Sequence, residues 1–514
     1  MNFLSQPADA ISSNRAVCLA AIAIGCITIT RLTRQKSQLP LPPGPKALPI
    51  IGNLLDVPPT NAWKTFSEWS VKWGDLMSIK ILDQPIIIVS SVKVVEDLLE
   101  KRSLKYSNRP VLTFIGEIVG WSNAIALLQY GHRFREFRKY MNRLIGTKAA
   151  MEKFDSLMEH ETAKFLARVM ADPNSFSQQI RKTAGAFILM LAYGYPVRPE
   201  RDPLVDLVET AVHQFGQGTD PGAFLIDVIP ALQYVPAWFP GAGWKRMGER
   251  FKQTLANMTD VPYRFVQEQM AAGTAIPSYT SELLSRKDLD AEAEWNIKWS
   301  AASLYAGGGD TTVSFLRTFF LAMQLYPEVQ RKAQEELDRV VGQDRLPRIA
   351  DRPNLPYIEA VIKELLRWNP VAPLGVPHAS AEDDMYEGYF IPKGATVIVN
   401  IWHILHDSSV YPDPMEFIPE RYLGENPQKD PTPIAFGFGR RACPGINMAH
   451  SSVFIEITMT LSTFNISKYV DESGNVIEPE IHYSDGAVSH PKPFKCDIKP
   501  RSEKAIAVIS AIEL

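Results

Sequence analysis

The sequence predicts a mostly α, α+β fold: a large helical body with a minor β-rich part, preceded by one N-terminal apolar helix. Three observations lead there. Helical periodicity dominates from about Val94 to Trp368, short strand-like pieces flank that region, and a charge-free run stands alone near the N-terminus. The chain has 514 residues, with 46% hydrophobic and 22% charged residues. That balance excludes a disordered, collagen-like or multi-span membrane chain. Lys+Arg (54) against Asp+Glu (57) leaves a net charge of −3, so no overall positive field invites nucleic acid. Four cysteines cannot make a disulfide framework in a chain of this length.

The first element spans residues 1–38. Its core, residues 16–30 (AVCLAAIAIGCITIT), carries no charge and lies between Arg15 and the cluster Arg31, Arg34 and Lys36. A bilayer needs ~20 apolar residues, and Ala10, Ile11, Ser12 and Ser13 extend the run. A signal peptide would put its positive charge first, with a small-residue cleavage site after the apolar run. Here the larger cluster follows, which by the positive-inside rule keeps the body cytoplasmic. An uncleaved single-pass membrane anchor is expected. Residues 39–49 (LPLPPGPKALP) include Pro40, Pro42, Pro43, Pro45 and Pro49 and read as a stiff, helix-free hinge. Without a repeat or polar break after it, residues 50–514 read as one catalytic domain.

Within that body, residues 76–82 and 85–89 read as strands, as do 386–390 and 396–399, with a turn at 391–394. The longest helical pattern runs from about Glu292 to Tyr326 and is stopped by Pro327. At 1.5 Å per residue it is about 50 Å long, and its apolar residues keep to no single stripe, so it is expected to be central and buried. Its middle reads Gly307-Gly308-Gly309-Asp310-Thr311-Thr312. Each interior glycine costs about 1 kcal/mol relative to alanine, so something must need the missing side chains. Close packing or a kink is one explanation. The acid and hydroxyls that follow favour a widened groove for a small ligand, lined by the proton-transferring groups Asp310 and Thr311.

The most specific segment is residues 436–445, Phe-Gly-Phe-Gly-Arg-Arg-Ala-Cys-Pro-Gly, before an apolar-faced helix from Ile446. Cys443 is therefore placed before a helix N-terminus with Arg441 two residues away, and both favour thiolate. Zinc would need Cys or His partners at short spacing, and none is present. A cysteine nucleophile would need a base, which the sequence does not place. A lone thiolate fits axial ligation of haem iron.

With these motifs in hand, the chain resembles the cytochrome P-450 family of membrane-anchored eukaryotic type, from Leu39 to about Arg501. The family pattern Phe-x-x-Gly-x-Arg-x-Cys-x-Gly is met by Phe436, Gly439, Arg441, Cys443 and Gly445, and the acid–threonine groove by Asp310 and Thr311. Glu364 and Arg367 match its Glu-x-x-Arg motif, one helical turn apart, and Arg421 the arginine that completes the triad. The resemblance implies heme b with iron ligated by Cys443, and Arg441, Arg138 and His378 at the cofactor, the last two at its propionates. The usual tryptophan of Trp-x-x-x-Arg is replaced by Phe134, which removes one N–H donor. It also implies monooxygenation of a lipophilic or aromatic small molecule with O2, using electrons from NADPH through NADPH–cytochrome P-450 reductase. The expected setting is the endoplasmic reticulum membrane with the catalytic domain cytoplasmic. Residues 232–241 and 488–502 resemble basidiomycete enzymes of secondary metabolism, O-methylsterigmatocystin oxidoreductase-like and tryptamine hydroxylase-like; xenobiotic oxidation is the other role. A peroxide-rearranging isomerase or dehydratase would not need Asp310 and Thr311, and a non-catalytic haem protein would not need the glycines. Arg440, with Arg133, Arg135 and Lys139, would form a basic face for an acidic reductase if the family fold brings these segments together.

Overall fold

The computed structural model describes residues 39–220, 222–287 and 289–512. The expected anchor lies outside the described residues. Among the described residues, no helix is long and apolar enough to cross a membrane.

The helix Ala291–Leu325 forms the axis of the molecule. Asp290 caps it by accepting from the Ala293 N–H, and Glu292 and Glu294 in its first turn oppose the positive end of its dipole. It stops at Leu325 because Pro327 opens the next helix, Pro327–Val340. Its buried residues lie all round it, as the unstriped sequence suggests. Helices Phe176–Tyr193, Pro203–Thr219, His132–Ile145 and Ile446–Thr463 pack against it.

The minor β part is a four-stranded sheet in the order β1-β2-β6-β3, where β1 is Leu76–Ile81, β2 Gln84–Val89, β3 His378–Ala379 and β6 Thr396–Val399. Strands β1 and β2 form a hairpin, β6 joins β2 in parallel (Ile88 opposite Ile398), and β3 joins β6 antiparallel (His378 opposite Val397). This register fixes His378 at the edge of the sheet nearest the helical body. The strand expected over residues 386–390 is instead a hairpin, β4 Asp384–Tyr386 and β5 Tyr389–Ile391. The chain reverses at Glu387 and Gly388, both with φ > 0, a conformation glycine supplies cheaply. Strands β7 (Phe464–Lys468) and β8 (Cys496–Pro500) pair separately, and Cys496 is buried there as packing.

Residues 39–49 contain no helix, but they are docked and do not hang free. The carbonyls of Pro42 and Pro43 accept from the Ser78 hydroxyl and N–H at 2.6 and 2.8 Å, and Pro40 O accepts from Phe390 N–H at 2.8 Å. A Cβ on Gly44 would lie 1.9 Å from Ser78 O, so only glycine permits this approach.

The triad read from sequence closes in the core. Arg367 donates to both oxygens of Glu364 at 2.8 Å, and Arg421 Nε donates to Oε1 at 3.2 Å. Tyr422 O–H and the Ile418 N–H also donate to this carboxylate, and carbonyls of Leu405, Pro414, Glu416 and Asp413 take the remaining guanidinium hydrogens. The network is satisfied, which buried charges require.

Candidate active site

Cys443 sits at the end of a loop bent by two glycines. Gly437 and Gly439 have φ of 77° and 53°, and a Cβ on Gly439 would lie 2.1 Å from Leu99 O. The Cys443 N–H donates to Phe436 O at 2.8 Å, which turns the side chain into a cavity of about 400 Å³. Burial raises the thiol pKa on balance, against the smaller downward pull of the Gly445 N–H and the Arg138 cation. Arg441 is therefore not the cation that acts on sulfur. Its guanidinium donates to the carbonyls of Ser107, Ile125 and Leu128 at 2.7, 3.2 and 2.6 Å and lies 4.0 Å above the Phe134 ring. Phe134 thus serves as a platform for Arg441.

Opposite Cys443, the central helix lines the cavity with Gly307, Asp310 and Thr311. Gly307 and Gly308 divide the two explanations between them, while a Cβ on Gly309 would make only ordinary contact with Val208 at 3.5 Å. A Cβ on Gly308 would lie 2.9 Å from the Ile188 side chain, a packing requirement, whereas one on Gly307 would meet nothing within 4 Å. Gly307 is the groove glycine. The helix is continuous through the run, and the Thr311 hydroxyl donates to Gly307 O at 2.8 Å.

The third wall is cationic. Arg109, Arg138 and Arg441 all line the cavity, as does His378. Arg109 Nε donates to Ala126 O at 2.9 Å and its Nη1 to Val376 O and Pro377 O, while Arg138 Nη1 donates to Ala442 O at 2.6 Å. Among the described residues, no carboxylate pairs with any of the three arginines, and Asp310 is the one acid on the cavity wall. Burial, then repulsion from Arg441, lowers the pKa of Arg109; burial, then Arg138, lowers that of Arg441 to about 10. His378 Nδ1 is 2.7 Å from Tyr106 O, and burial, then Arg109, holds the ring down to about 3, so it is neutral. Two buried guanidiniums, Arg109 and Arg441, and the half-buried Arg138 around one mostly apolar space call for an anion. Together with a lone thiol, and with no other group of His, Cys, Asp or Glu able to hold a metal among the described residues, this donor set fits a haem with its two propionates.

Most of the remaining wall is apolar, with Ser303, Thr312 and His450 as its polar side chains. Trp121 and Phe215, with ring centroids 4.7 Å apart, and Leu304, Phe315, Leu366 and Val488 face the space. A hollow of about 300 Å³ beside Tyr193, Phe265 and Arg198 shares no residue with it.

Sequence reasoning identified Cys443, Asp310, Thr311, Arg138, Arg441 and His378, and the structure places all six on one cavity. It missed Arg109, whose partners are 267 and 268 residues away, and His490, whose Nε2 lies 3.1 Å from Asp310 Oδ2. The basic segments also meet: Arg440 and Arg135 lie 5.7 and 5.9 Å from the same Tyr130 ring, and Arg440 donates to its hydroxyl.

The model of the Cytochrome P450 family matches residues 42–498 of this chain. The chain is 51% identical over 496 residues to Cytochrome P450 monooxygenase 208 of Postia placenta, covering 96% of both proteins. It is 48% identical to Cytochrome P450 monooxygenase claR of Ampulloclitocybe clavipes (98% of this chain, 94% of the relative). It is 42% identical to Cytochrome P450 monooxygenase ppsD of Aspergillus oryzae (95% and 94%).

Proposed function

This chain belongs to the cytochrome P450 family and is a haem-thiolate monooxygenase, and we propose how its own residues divide that work and on what it acts. Cys443 ligates the iron, and Arg109, Arg138 and Arg441 hold the propionates. The observation that carries this is three guanidiniums, two buried and one half-buried, that have no acidic partner among the described residues and line the cavity that contains the thiol. His378 offers Nε2 as an acceptor while neutral; a propionate beside it would stabilise a second proton there and turn it into a donor. When bound, the haem supplies reductive activation of dioxygen, one oxygen atom entering the substrate and the other leaving as water.

The protein's part is to orient substrate, exclude water and deliver two protons. Asp310 brings a proton to the groove. The Thr311 hydroxyl hydrogen is held by Gly307 O, so its oxygen accepts from the groove side and donates there only after turning away from that carbonyl. The aromatic and aliphatic wall suits a lipophilic or aromatic substrate, in fungal secondary metabolism, bound by burial more than by charge. Arg440, Arg135 and Lys139 present a basic face to an NADPH-dependent reductase. The anchor at 1–38, with the exposed Ile50, Leu55, Tyr234, Trp238 and Phe239, favours a membrane setting with the catalytic body on the cytoplasmic side.

Arg138→Leu tests the cradle. It removes one guanidinium and keeps the apolar stem, so haem content per protein should fall while the apoprotein stays folded by circular dichroism. Full haem content with unchanged affinity on titration would contradict the assignment.

A further inference from the structure

We propose that His490 is the positioning partner of Asp310 and the outer station of its proton path; this rests on the reading of Asp310 as the groove's proton carrier. His490 Nε2 lies 3.1 Å from Asp310 Oδ2, and both side chains are about one-fifth exposed. An ionised carboxylate only accepts, so Nε2 carries the hydrogen. That leaves Nδ1 as a bare lone pair, and it is buried without a partner. Turned to solvent, the side chain, about one-fifth exposed, takes a proton from water at Nδ1; back against Asp310 it releases the one on Nε2: one proton in, one out, no electron moved.

Anchoring is the competing role, and the loop does not need the pair for it. Ser314 Oγ donates to Ser489 O, the Ser489 N–H donates to Val371 O at 2.8 Å, and the His490 N–H donates to Ser484 Oγ at 3.0 Å. The Ser484 N–H returns a bond to His490 O at 2.8 Å. The first ties the loop to the central helix, the second ties it to Val371, and the last two close the loop on itself. Its residues Ala487 and Val488 line the cavity, so the same loop reaches from the groove to the outer shell.

Charged groups lie on the central helix, on the helix packed against it and on the loop itself. Arg317 lies two turns along the same helix and interacts with Asp310 and with Arg181 of the helix Phe176–Tyr193, which is itself paired to Glu209. Asp485 of the loop interacts with Asp220, which also interacts with His213.

The test uses full-chain holoprotein with its reductase. His490→Gln keeps an N–H donor toward Asp310 but cannot relay; His490→Ala removes both. Dioxygen is mixed with reductase-reduced protein in stopped flow, so that first electron transfer is not read, and its consumption is followed in H2O and D2O. Both variants should keep the wild-type CO spectrum and melting temperature. Both should consume dioxygen about tenfold more slowly, below the 10²–10⁴-fold of a group acting directly on reacting atoms, with a larger solvent isotope effect. Combining His490→Gln with Asp310→Asn should add nothing. A His490→Gln protein that matches wild type in rate and isotope effect, while Asp310→Asn is slow, would overturn the relay and leave His490 an anchor. Wild-type behaviour of Asp310→Asn itself would instead remove the reading on which the proposal rests.

Discussion

Glu456 lies on the helix that follows the cysteine loop, 5% exposed, and its Oε2 has no hydrogen-bond partner. Burial alone pushes its carboxyl up from 4.5 to about 8. A pKa raised in the folded state means the fold prefers the protonated acid. Its contribution to stability is therefore complete below about pH 4.5 and is lost progressively as pH rises toward 8. At 1.36 kcal/mol per unit the loss is ~2 kcal/mol at pH 6 and ~4–5 kcal/mol at pH 8.5. Glu456→Gln keeps the shape and cannot ionise. Its amide adds a pH-independent offset of either sign, so the informative quantity is the change in the variant-minus-wild-type difference. Urea unfolding of the holoproteins at pH 6 and 8.5 should show the variant gaining ~2–3 kcal/mol relative to wild type between the two. A difference that stays constant with pH would mean that the carboxyl titrates near its ordinary value, and the buried-acid argument would be wrong.

Breaking the core triad should be costlier and independent of the site. Glu364→Ala strands Arg367 and Arg421 with no carboxylate, and should destabilise the fold by about 3–5 kcal/mol, read as loss of soluble holoprotein and a lower denaturant midpoint. Thr311→Ala should keep a normal CO spectrum and consume NADPH, yet return more of its dioxygen as hydrogen peroxide. An unchanged peroxide yield per NADPH would take the hydroxyl out of the proton path.

Much of this was legible because the residues that carry chemistry are local. The cysteine loop, the glycine-acid-hydroxyl run and Glu364–Arg367 each fall within one element, so spacing alone places them. What pairs across the fold was not legible. Arg109 stands in a loop with no periodic signal, and its role emerges only when Val376 and Pro377 are folded against it. His490 is 180 residues from Asp310. Proximity in sequence also misled once: Arg441, two residues from the cysteine, turns to the carbonyls of Ser107, Ile125 and Leu128, and the more distant Arg138 acts on sulfur. At residues 386–390, expected as one strand, the positive φ of Glu387 and Gly388 turns the chain into a hairpin.

The account turns on Cys443 as the thiolate that holds the haem iron. The most direct measurement is the absorption spectrum of the reduced, CO-treated protein with Cys443 replaced by alanine, beside Cys496→Ser. Cys496 is buried in β8, and its thiol is pushed up to about 12, so it should not serve as a ligand. The account predicts that Cys443→Ala lacks the long-wavelength CO band of thiolate-ligated haem and that Cys496→Ser retains it. Persistence of that band in Cys443→Ala would contradict the assignment of the iron ligand, and with it the placement of every other residue around the cavity.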